Sequence, residues 1–136
     1  MAGSEFGRIF IETVVMIELN DKKYTCPVDV TLGLIGGKWK LLILFHLHYF
    51  TKKSYGEFKV NLPGISEKML SQQLKELERD KLIAKTQLSV KPNRVEYSLT
   101  ERGKSLGPLY EFISKWGIDY LKENNIDYIK DQHLYK

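Results

Sequence analysis

The segment LPGISEKMLSQQLKELERD at 62–80 constrains this chain more than any other. Pro63-Gly64 predicts a tight turn and Ser66 a helix cap, so a helix is expected over 66–80. At about 100° per residue, Leu70, Leu74 and Leu77 fall on one side of that helix, flanked by Ser66 and Gln73. Lys68, Gln72, Lys75 and Arg79 gather on nearly the opposite side, with Ser71 beside them. Taken alone this is an amphipathic surface helix with a solvated polar face. After a tight turn it also has the pattern of the second helix of a helix-turn-helix.

The surrounding chain decides between these readings. Pro27 sits just inside a helix that stops at Gly36-Gly37, since proline costs nothing at a first helical position. KWKLLILFHLHYF at 38–50 is apolar nearly all round and predicts a helix at the buried centre of the fold. A short helix is expected over 54–61. After the 66–80 helix, LIAKTQLS at 82–89 and NRVEYSLT at 93–100 read as two strands joined by VKPN. Thr100 then caps a final helix expected over 101–123. The fold class expected is mainly α with a β-hairpin wing: a winged helix-turn-helix, with the family resemblance below implying a dimer through its terminal helices.

The bounds agree with one domain. A chain of 136 residues supports one core, and 43% hydrophobic with 28% charged residues is a globular composition. The longest apolar stretch, 41–50, is far short of the roughly 20 residues of a spanning helix, so no membrane partner is expected. GSEF at 3–6 resembles a cloning-site scar, and residues 1–15 are expected to be a vector-derived or disordered leader. The domain is expected over 16–123 and a tail over 124–136. A single cysteine, Cys26, excludes an intrachain disulfide and a cysteine-rich zinc site and points to the cytoplasm.

Charge is uneven: residues 36–104 hold 14 Lys/Arg against 7 Asp/Glu, within a net charge of +4 for the whole chain. A basic centre suits a polyanion, and equally a solvated basic face. With the helix-turn-helix pattern, double-stranded DNA is the expected partner. Gln72 suits bidentate pairing with adenine, and Lys68 and Lys75 suit guanine or phosphate. Ser66, Ser71 and Arg79 complete the reading helix, and Lys91, Asn93 and Arg94 tip the wing, where they suit the DNA backbone or minor groove.

In the last helix, Leu106, Leu109, Tyr110, Phe112, Ile113, Trp116, Tyr120 and Leu121 form a stripe wider than a small core needs. Such surface favours a two-fold dimer, which would set two reading helices roughly 34 Å apart for a palindromic operator. The alternative is a helix folded back on its own domain.

No phosphate-cradling loop or nucleophile–base pattern is present: Gly36-Gly37-Lys38 lacks the spacing of a P-loop. His46 and His48 splay to different helix faces, and no metal, cofactor or enzymatic activity is expected. A winged-helix protein-interaction module is the alternative from another class.

CPVDVTLGLIGGKWKLLIL at 26–44, YGEFKVNLPGISEKMLSQQLKELERDKLI at 55–83 and VEYSLTERGKSL at 95–106 resemble the HxlR-type family of winged-helix regulators, relatives of the MarR group. The resemblance spans about 26–121. It implies a dimeric bacterial transcription regulator, expected here as a repressor, with an N-terminal helix and the last helix at the interface. It also implies a redox- or electrophile-sensing role for Cys26, since several members look like thiol sensors at this Cys-Pro position. Cys26 precedes Pro27 at a helix start, where thiols are activated as nucleophiles, and Lys22 and Lys23 are close in sequence. A disulfide would have to join two subunits or a small thiol. The alternatives are a buried structural cysteine and a small-molecule effector in place of a thiol switch.

Overall fold

A computed structural model describes residues 16–127, which form two compact units, 16–37 and 38–127. Expectations for the leader 1–15 and for residues 128–136 lie outside the described residues.

The first unit is a hairpin followed by a helix. Strands β1 (Ile17–Leu19) and β2 (Lys22–Tyr24) pair antiparallel through Asn20 and Asp21, both at positive φ (53° and 61°). Two consecutive left-handed residues make the turn whose twist suits a hairpin, and Asn and Asp tolerate that conformation. Helix α1 (Pro27–Ile35) starts with proline in its first turn and has Cys26 as N-cap residue. The Cys26 side chain makes no cap bond. Instead the Asp29 carboxylate reaches back and accepts from the Thr25 backbone N–H (2.9 Å) and hydroxyl (3.3 Å), satisfying a donor at the helix entrance.

The second unit is built around α2 (Lys38–Phe50), whose Ile43, Leu44 and Leu47 are fully buried. Strand β3 (Lys52–Ser54) and helix α3 (Tyr55–Asn61) follow. Ser54 and Glu57 form a reciprocal capping box that starts α3. Gly64 takes φ +90° in the turn, a conformation that glycine adopts without a side-chain clash. Helix α4 (Glu67–Arg79) then begins, its cap formed by Ser66 Oγ accepting from Met69 N (3.0 Å). Leu70, Leu74 and Leu77 are buried, as their i, i+4, i+7 spacing predicts. Helix α4 ends with Lys81 at φ 61° and two bonds, Lys81 N to Glu78 O and Leu82 N to Leu77 O (both 3.0 Å). This is a Schellman stop made without the usual glycine.

Strands β4 (Ile83–Ser89) and β5 (Arg94–Leu99) form the hairpin, and the sheet order is β3-β5-β4, antiparallel throughout. Leu88 occupies a register shift between Gln87 and Ser89. Gln87 Nε2 closes the tip by donating to Ser89 O (2.6 Å) and Asn93 Oδ1 (2.5 Å).

The single helix expected over 101–123 is two: α5 (Glu101–Lys104) and α6 (Gly107–Glu123). Pro108 is the reason, because it offers no N–H to the preceding turn and its ring clashes there; it is tolerated only where a helix starts. Thr100 does cap α5, accepting from Gly103 N (3.1 Å). Gly103 must be glycine, since a Cβ there would lie 2.2 Å from Leu82 O. Helix α6 ends on Asn125 (φ 56°), with Ile126 N donating to Leu121 O (2.9 Å). The β1–β2 hairpin and β3 are elements that periodicity did not predict. Asn20-Asp21 between IEL and KKY was the available signal for the first.

Candidate nucleic-acid interface

Helix α4 and the β4–β5 wing carry the polar residues singled out from the sequence. On α4, Lys68, Gln72, Lys75 and Arg79 are exposed, opposite the buried leucines. They differ in what already holds them. Arg79 makes a two-pronged contact with Asp80, Nε to Oδ1 and Nη2 to Oδ2 at 3.1 Å each. Gln72 hydrogen-bonds the Glu76 side chain, which also accepts from Lys40 Nζ at 3.1 Å. The Lys40 bond, more than the Gln72 and Arg79 contributions, holds the Glu76 carboxyl below its ordinary range. Lys40 itself is only 7% exposed, so this pair ties α2 to α4 beside Gln72. Lys68 and Lys75 make no ion pair among the described residues.

Ser66 and Ser71 have structural partners. Ser66 is occupied as the cap of α4. Ser71 Oγ is 3.1 Å from the Tyr55 hydroxyl, which also donates to Glu67 O (3.1 Å). Tyr55, at the start of α3, thus braces the first turns of α4. The sequence reading passed over it because an aromatic at a helix start has no periodic signature.

The wing brings Lys91, Asn93 and Arg94 to its exposed tip. Asn93 also serves the tip itself, through Gln87. Between α4 and the wing runs a groove of about 790 Å³. Ser71 and Lys75 from α4 line it together with Asn93 and Arg94 from the wing; Tyr55, Glu78 and Lys85 are among the lining residues the sequence reading did not single out. Lys68, Gln72, Arg79 and Lys91 are not part of this lining.

The last helix requires one correction. Tyr110 is 1% exposed and donates its hydroxyl to Gly103 O (2.8 Å), so it belongs to the interior of its own unit and not to an outward stripe. Burial pushes its phenol up to about 12. Leu106, Leu109 and Leu121 are half-buried. Phe112, Ile113, Trp116 and Tyr120 remain outside, with the Trp116 and Tyr120 rings stacked at 5.5 Å.

Among the described residues no group of three His, Cys, Asp or Glu is placed to hold a metal ion. No helix is long and apolar enough to cross a membrane.

Residues 34–125 match the HxlR-like helix-turn-helix family. The chain belongs to that family. It is 51% identical over 92 residues to the uncharacterized HTH-type transcriptional regulator YdzF of Bacillus subtilis (strain 168), covering 68% of this chain and 84% of YdzF. Among solved structures it is similar to the redox regulator HypR in its oxidized form, at 41% identity and a TM-score of 0.65. That match covers 69% of this chain and 96% of HypR. The reduced form of YodB from B. subtilis matches at 32% identity and a TM-score of 0.56, over 67% and 89% of the two chains. This HxlR-like protein is therefore a transcriptional regulator with a helix-turn-helix DNA-binding fold, and not an enzyme.

Proposed function

We propose that this chain is a homodimeric regulator that binds a palindromic operator in duplex DNA and whose occupancy is set by the state of Cys26. The observation that carries the DNA reading is the alignment of α4 with the wing: Lys75 and Arg94 line one groove while Lys68 and Gln72 stand exposed on the same helix. In this reading Lys68 and Gln72 face base edges, and Lys91 and Arg94 lie along the backbone. Arg79, clasped by Asp80, is the weakest contact of the set. An operator-bound dimer represses by occupying sequence that the transcription machinery needs; a cytoplasmic setting is part of this reading, from the lone cysteine.

The test is a binding series on duplex DNA across salt. Neutralising several phosphates makes affinity fall steeply, with a slope of about −0.9 per contact in log–log form. Gln72→Ala should lose about 1–3 kcal/mol of discrimination at a single base position. Arg94→Ala should weaken all sequences alike and lower the salt slope by about one. No binding to any duplex at low salt would falsify the proposal.

Two observations support Cys26 as the sensor. It is half-buried at the N-cap of α1 with no side-chain cap bond, so modifying it breaks no existing bond of its own. The relative HypR is a redox regulator. An electrophile would form a thioether with the Cys26 sulfur. An oxidant would take two electrons and two protons as Cys26 joins a second thiol, from the partner subunit or a small thiol. Operator affinity of the native chain should change on treatment with N-ethylmaleimide or diamide, and that of Cys26→Ser should not. A response that survives in the serine variant would leave a small-molecule effector as the regulator.

A further inference from the structure

The groove between α4 and the wing has a charge arrangement that the family resemblance does not assign. Lys75 of α4, Lys85 of β4 and Arg94 of β5 converge on it. None of the three makes an ion pair among the described residues. Three carboxylates, Glu57, Glu78 and Glu96, line it as well. Two of these are engaged elsewhere: Glu57 accepts from Ser54 N (3.1 Å) in the capping box, and Glu96 lies 3.9 Å from Lys52. Glu78 has no such cationic or capping partner in the groove wall; its field instead falls on Tyr97, also in the lining. The apolar remainder includes Leu74 and Val95.

We infer that this groove is a seat for one segment of the DNA sugar-phosphate backbone, with Lys85 a phosphate-contacting residue and Glu78 a counter-charge that weakens the seat. The inference rests on the DNA-binding reading above and adds to it two residues of opposite sign. Three cations from three separate elements match a chain of phosphates better than a point anion, because a phosphodiester run presents successive charges along the groove. The groove lies between the two elements that carry the reading residues, so a backbone held there stays in register with both. Glu78 lowers affinity for every duplex equally, so binding depends more heavily on the base contacts of α4.

The experiment measures operator and unrelated duplexes across salt with Lys85→Met, Lys85→Arg and Glu78→Gln. Lys85→Met is expected to weaken both duplexes by the same factor and lower the salt slope by about one. Lys85→Arg should restore slope and affinity. Glu78→Gln should strengthen both duplexes. Both positions are exposed, and thermal unfolding of each of the three variants verifies that the fold is intact. If Lys85→Met leaves the slope unchanged while Arg94→Ala lowers it, the seat is wrong and the DNA reading stands. If the native chain binds no duplex, both fall. A final arm adds inorganic phosphate against chloride at matched ionic strength. Equal effects of the two salts are expected; selective release of DNA by phosphate, abolished in Lys85→Met, would make a free anion the occupant and overturn the proposal.

Discussion

A chain carrying glutamate at both Phe112 and Trp116 is expected to be monomeric and to bind a palindromic operator about 100-fold or more weakly. These side chains are 65% and 61% exposed on α6, so they do little for the fold of their own unit. Aromatic residues bury roughly 150–250 Å² each when covered, and in a two-fold interface each substitution is counted twice. In the proposed dimer, four carboxylates in place of four aromatic rings would have to be desolvated or leave the interface open. Loss of dimerisation forfeits the effective concentration that links two half-sites, a factor of about 10²–10⁴. Analytical ultracentrifugation reads the first effect and operator titration the second, with circular dichroism showing that the helices persist. A variant that remains dimeric at micromolar concentration would remove α6 from the interface. Tyr110 is left unchanged because it is buried and replacing it would destabilise the unit itself.

The second large effect is on stability in acid. His46 is 8% exposed on the inner face of α2, with Phe45 edge-on to it and Phe50 stacked at 6.0 Å. Its Nδ1 has no hydrogen-bond partner among the described residues. Burial, and then the positive charge of Lys53, lower its pKa from 6.5 to about 4. Lys53 is itself 4% exposed, held by the Asn61 side-chain oxygen and by the Phe50 ring at 4.4 Å, and burial lowers its pKa too. Between those two values the unfolded chain takes up a proton at His46 that the folded chain refuses, so stability falls as pH drops through that window. The difference corresponds to about 3 kcal/mol, complete near pH 4 and absent above about 7.

His46→Phe, which keeps a ring against Phe50, should flatten this slope. Urea unfolding of both proteins at intervals from pH 7 to 4 makes the comparison. Parallel curves over that range would mean that His46 is protonated in the folded state at its ordinary pKa. Glu76 acts in a lower window: its depressed carboxyl contributes stability above about 4.5, lost as pH falls further. Subtracting the variant from the native curve separates the two.

The local rules held wherever one residue's chemistry was sufficient. Ser66 and Thr100 cap the helices they were expected to cap. The leucine spacing of α4 predicted its buried face. They failed where several weak signals had to be weighed together. Periodicity and the Thr100 cap predict one helix over 101–123, and neither signal registers the break that Pro108 makes between α5 and α6. Strand β3 is three residues long and exists because β5 is beside it, with Lys53 opposite Tyr97; three residues carry no period of their own.

The helix-turn-helix at 55–80, its wing and the separation of leucines from lysines on α4 were determined by the sequence, because caps, turns and helical period are set by neighbours along the chain. Which polar residues are available to a partner was decided only in three dimensions. Ser71 meets Tyr55, Arg79 meets Asp80, Tyr110 turns inward to Gly103, and Lys75, Lys85 and Arg94 meet across one groove. Periodicity tells on which side of a helix a residue lies. It does not tell what another element has placed there, and that placement separates the bracing serine and the buried tyrosine from the residues left exposed.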